Sequence, residues 1–76
     1  MSSQTEKIYN LLVSVRPFAM TANSIHKKFN GEIPKVSVNR ALNELGHRGL
    51  VLKKDKLVDG GEGRKVRPWR ATYKEA

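Results

Sequence analysis

Cysteine is absent from this chain, which excludes a disulfide framework and a thiolate metal site as props for the fold and is compatible with a reducing compartment. Acidic side chains are few, seven against fifteen Lys and Arg. They are scattered, and Asp59 and Glu62 lie in a glycine-rich stretch too loose to hold a catalytic geometry. No G-x-x-x-x-G-K-[ST] phosphate loop, no H-E-x-x-H and no nucleophile elbow occurs. The two histidines, His26 and His47, are far apart and lack neighbouring ligands. The expectation is therefore no enzyme, no cofactor and no metal. Nor is there a run approaching the roughly 20 apolar residues of a membrane helix, and the opening MSSQTEK has no apolar signal-peptide stretch. A soluble protein is expected, cytoplasmic or nucleoid-associated, or in the host cytoplasm if the source is viral.

What remains is a short, basic chain. Seventy-six residues suit one domain spanning 1–76, and at this size only about 60% of the unfolded surface is buried on folding. The core is thus thin and must be assembled from ordinary apolar side chains. The net charge is +8, with a pI near 10.2. Residues 1 to 34 carry four basic and two acidic groups, whereas residues 35 to 74 carry eleven and four. A charge so concentrated in one half attracts polyanions, although it would also serve to keep a small protein in solution.

Ser3 and Glu6 fit a capping box, and Ile8, Leu11, Leu12 and Val15 follow as one apolar stripe, so a first helix is expected to run to Pro17. Phe18-Ala19-Met20 reads as a minimal strand or a buried connection. Thr21 is a plausible N-cap for a second, two-turn helix with Ala22, Ile25 and Phe29 on one face, stopped at Asn30-Gly31. A third helix is expected from Lys35 to Arg48, with Pro34 at its start and Gly49 at C′. Its inward stripe is Val38, Ala41, Leu42 and Leu45. Gly46 costs up to about 1 kcal/mol relative to Ala, so it either permits close packing or loosens the last turn. Then the period changes. Leu50-Val51-Leu52 reads as a strand, residues 59 to 63 as a glycine-rich tip, and Trp69, Ala71 and Tyr73 as the buried side of a second strand. Helix, short strand, two helices and a hairpin make an α+β fold, a three-helix bundle with a C-terminal hairpin packed on its edge, which is the winged helix-turn-helix arrangement.

With Val38, Leu42 and Leu45 inward, Val36, Asn39, Arg40, Asn43 and His47 face out. Asn and Arg have the forked geometry that matches adenine and guanine edges, and Val36 can meet a thymine methyl. These positions lie near the start of the helix, where a recognition helix meets the groove. The same side chains would also make an ordinary solvated face. Lys53, Lys54, Lys56, Arg64, Lys65, Arg67, Arg70 and Lys74 on the hairpin suit phosphates, which fix register without reading sequence. They also suit a sheet edge charged against aggregation. Trp69 reads first as core and second as a ring stacked on sugar or base. His26 and His47 read as surface residues, His47 placed to touch phosphate.

From Thr21 onward, over about two thirds of the chain, the sequence resembles winged helix-turn-helix transcription regulators. TANSIHKKFNGEIPKVSVNRALNELGHRGLV has their helix, turn, recognition helix and strand, and DGGEGRKVRPWRATYK looks like the wing of the multiple-antibiotic-resistance (MarR) family, without that family's dimerising helices. Lys35, Val38-Asn39-Arg40, Leu42-Asn43-Glu44-Leu45 and Pro68-Trp69 are also similar to the Zα domains, which bind left-handed duplexes. That second likeness implies backbone contacts by Lys35, Asn39, Arg40 and Trp69, with Asn43 standing where that family has its stacking tyrosine. The expected function is sequence-specific binding of double-stranded DNA by a small transcriptional regulator, helix 35–48 in the major groove and wing 53–70 on phosphate or in the minor groove. The alternatives are a protein-interaction winged helix acting on transcription or replication machinery, and a Zα-like binder. The domain is expected to be a monomer alone that can pair on DNA.

Overall fold

In the computed structural model, which describes residues 3–61 and 63–73, the apolar stripes become three helices. These are α1 (Ser3–Ser14), α2 (Ala22–Lys28) and α3 (Lys35–His47). Ile8 and Leu12 of α1, Ile25 of α2 and Val38, Leu42 and Leu45 of α3 are fully buried against one another. Leu11 and Phe29 pack partly on this core. The capping box read at Ser3 and Glu6 falls at the edge of the described residues. α1 ends at Ser14, three residues before Pro17, and its last turn closes through bonds from Val15 N–H to the Leu11 carbonyl and from Arg16 N–H to that of Val13.

The helix boundaries follow local chemistry. Thr21 has extended backbone, and its hydroxyl accepts the Ser24 N–H at 3.1 Å, satisfying one orphan donor of α2. Beyond α2, Asn30 and Gly31 both take positive φ, 54° and 78°, which turns the chain toward α3. His26 is not a plain surface residue. It is half-buried, and its Nδ1 lies 2.8 Å from the Ile33 carbonyl, tying α2 to this turn. Gly49, at φ 75°, ends α3. Its N–H donates to the Gly46 carbonyl and that of Leu50 to the Leu45 carbonyl, both at 3.0 Å. This is the Schellman arrangement, for which a left-handed C′ residue is needed.

The strands are β1 (Val51–Lys53), β2 (Val58–Asp59), β3 (Lys65–Val66) and β4 (Trp69–Ala71). β1 pairs antiparallel with β4, Val51 opposite Ala71 and Lys53 opposite Trp69. β2 pairs antiparallel with β3, Val58 opposite Val66. The expected single hairpin is thus two stacked pairs. Leu50 falls outside the first strand because its amide is used in closing α3. Of Phe18-Ala19-Met20, only Met20 joins a strand: it exchanges two 2.8 Å backbone hydrogen bonds with Trp69, so β4 lies between β1 and Met20. Phe18 is 74% exposed, contrary to a buried connection. Tyr73 is 70% exposed rather than on the buried side. The strand ends at Ala71, Thr72 turns its hydroxyl onto the Gly49 carbonyl at 2.7 Å, and the Arg16 guanidinium stacks on the Tyr73 ring. Three helices with small antiparallel sheets make the chain an α+β protein. No helix among the described residues is long and apolar enough to cross a membrane.

Candidate nucleic-acid interface

Because the inward stripe of α3 is fully used by the core, its other side chains have nowhere to go but outward. Lys35, Val36, Asn39, Arg40, Asn43 and His47 are all exposed, and Val36, an apolar residue, is 64% so. Among the described residues no side-chain hydrogen bond or ion pair engages Asn39, Arg40 or Asn43. The helix turns 100° per residue, so Lys35, Asn39 and Gly46 share the flank that faces the strands.

On that flank Gly46 lets the edge of Trp69 lie against the helix. A Cβ there would sit 3.2 Å from the indole Cζ3 and 3.7 Å from Cη2, so any side chain would press on the ring. Trp69 is half-buried, held at its edge by α3 and through its backbone by Met20. It is neither wholly core nor free. The Lys53 ammonium stands over its ring, 5.3 Å from the centroid, near enough for attraction to the ring quadrupole.

The β2–β3 hairpin folds back toward the helices. Asp59 Oδ1 accepts the Gly61 N–H at 2.9 Å, and Gly61, at φ 86°, approaches Asn23 of α2 so closely that a Cβ would lie 2.6 Å from the Asn23 amide nitrogen. Hairpin, α2, α3 and β4 thereby enclose an open concavity of about 500 Å³. Lys35 and Asn39 line its α3 side, Lys53 and Trp69 its floor, and Arg64, Lys65 and Arg67 the hairpin side. No acidic residue lines it among the described residues.

The residues expected from the sequence are therefore not all brought together. Asn43 and His47 line a second, shallower depression on the other side of Lys53 and Trp69. Val36 and Arg40 lie on the exposed side of α3 and border neither depression. Lys54 borders a third concavity, with Lys56 and Met20. Arg67 is already bonded: its Nε donates to the Lys54 carbonyl at 2.8 Å and its Nη2 to Asp55 Oδ1 at 2.7 Å. It braces the base of the hairpin while adding charge to the concavity. Arg70 likewise donates to the Ala71 carbonyl. Sequence reasoning missed Asn23 and Leu57, which also line the concavity between α3 and the hairpin. A lone amide at the start of a helix and a lone leucine in a lysine run carry no pattern that would have marked them. No cluster of metal-ligating side chains occurs among the described residues.

Fold and surface together define an α+β domain with a basic concavity floored by a tryptophan. Comparisons with protein-family models, curated proteins and solved structures return no match for the chain.

Proposed function

We propose that this chain is a winged helix-turn-helix domain that binds double-stranded DNA sequence-specifically, in the role of a small transcriptional regulator. α3 supplies base contacts and the hairpin between 53 and 70 is the wing. One observation carries this reading: the unengaged amide of Asn39 on α3 and the cations of the hairpin converge on a single concave surface with no acidic residue described on it. Cations that meet phosphate give affinity and register, and an amide that reaches a base edge gives specificity. Such a surface combines both.

A second reading is favoured by a specific feature of that surface. Lys35, Asn39 and Trp69, three of the residues that the Zα resemblance assigns to backbone contacts, line the same concavity. A left-handed duplex is the alternative ligand. The test of both is selection of bound DNA from a random pool, followed by affinity for the recovered site, a scrambled duplex and a left-handed duplex at one salt concentration. Sequence-specific regulation expects a preference for the recovered site of about 10³-fold or more. Equal affinity for recovered and scrambled duplexes overturns it, and a preference confined to the left-handed duplex transfers the function to the second reading.

A further inference from the structure

We infer that the concavity between α3 and the hairpin receives a single unpaired polynucleotide strand, one base against Trp69 and the flanking phosphates on Arg64 and Lys65. This rests on the nucleic-acid reading and deepens it by naming the form of ligand at its centre. The first argument is size. A space of about 500 Å³ lies in the range of sites that hold one small organic molecule. A nucleotide unit fits within it, whereas a double helix lies across its mouth.

The second argument is shape. The Gly61 backbone rests on the Asn23 side chain, so the hairpin tip walls the flank of α3 that bears Lys35 and Asn39. A rigid duplex edge that reaches Asn39 on the α3 side of the concavity leaves the Trp69 ring uncovered. A strand with free backbone torsions can enter the concavity.

The third argument is chemistry. A cationic groove that follows a backbone, with an aromatic ring for the bases, is the combination by which proteins hold single strands. Arg64 and Lys65 are exposed, while the edge of Trp69 lies against Gly46. Lys53 occupies the indole through a flexible stem. A base that takes the ring leaves its ammonium to reach a phosphate.

Trp69 is the chain's one tryptophan, so intrinsic fluorescence reads this ring alone in the unmodified protein. The experiment titrates the full chain with labelled oligothymidylate, oligouridylate, an abasic oligomer of equal length and charge, and a blunt duplex, following probe anisotropy and tryptophan emission together. The expected result is marked quenching at saturation by a base-bearing strand and an affinity about ten-fold above that of the abasic oligomer. Equal affinity and quenching by abasic and base-bearing strands overturn the inference, as does quenching by the blunt duplex equal to that by the strands. Duplex binding with no strand binding also overturns it while leaving the duplex reading intact. Binding to none of the probes removes both.

Discussion

Asn39 and Arg40 are neighbours in sequence but stand on different surfaces, one lining the concavity and the other outside it. Both side chains are exposed and neither supports the core, so Asn39→Ala and Arg40→Ala are expected to fold like the parent. On a preferred duplex, loss of a bidentate base contact should cost about 1–3 kcal/mol. On random duplex Asn39→Ala should cost much less, since it removes no charge. Equal losses on preferred and random DNA in a folded Asn39→Ala protein would defeat base reading by this residue. Gly46 offers a separate test. Alanine favours helix by up to about 1 kcal/mol, yet its Cβ would press on Trp69 at 3.2 Å. Gly46→Ala should therefore keep the melting temperature within a few degrees while shifting tryptophan emission and weakening nucleic-acid binding. Unchanged emission would mean that the ring yields without leaving its place. At this scale the sequence was legible wherever periodicity spoke. Val38, Ala41, Leu42 and Leu45 are buried as their spacing required. The half-burial of Trp69 was not legible, because strand alternation says which side a residue takes but not how far the covering helix extends.

Among the elements, α3 does the most. It packs on α1 and α2 with one face, receives Trp69 on a flank and leaves the remainder to solvent. Leu42 is fully buried at the centre of its inner face, and Leu42→Ala should cost about 2–5 kcal/mol. That is a large fraction of the roughly 5–15 kcal/mol by which domains are stable. A melt within a few degrees of the parent would contradict the packing described. Two helix ends were readable in advance because caps are local chemistry: Thr21 and Gly49 act as their residue types require, whereas α1 stops at Ser14, short of Pro17. The β2–β3 pair was hidden for a physical reason. Two residues per strand, Val58-Asp59 and Lys65-Val66, are too few to show a period, and their pairing depends on a turn whose glycines read only as looseness. Tyr73 misled for a related reason, since the alternation continues in the sequence after the strand has ended.

Over the whole molecule, the concentration of charge in residues 35–74 becomes a matter of placement. Lys53, Arg64 and Lys65 share the concavity between α3 and the hairpin, whereas Lys54 borders another. Replacing the first three with alanine should reduce the log–log salt slope of DNA binding by about 2.7, with similar loss on all sequences. Lys54→Ala alone should leave the slope nearly unchanged. A triple variant with the parental slope would remove these cations from phosphate contact. The architecture also stitches distant parts of the chain together, since Met20 and Trp69 share two backbone hydrogen bonds of 2.8 Å. Their amides sit beside the core, while the Val66 amide, opposite Val58, lies in a two-residue strand outside it. In deuterated buffer the Met20 and Trp69 amides should thus exchange near the rate set by global opening, and that of Val66 through local fraying at much lower free energy. Proteolytic nicking at the hairpin tip would consequently leave residue 69 still fastened to residue 20, and the ring it carries still seated on the helix.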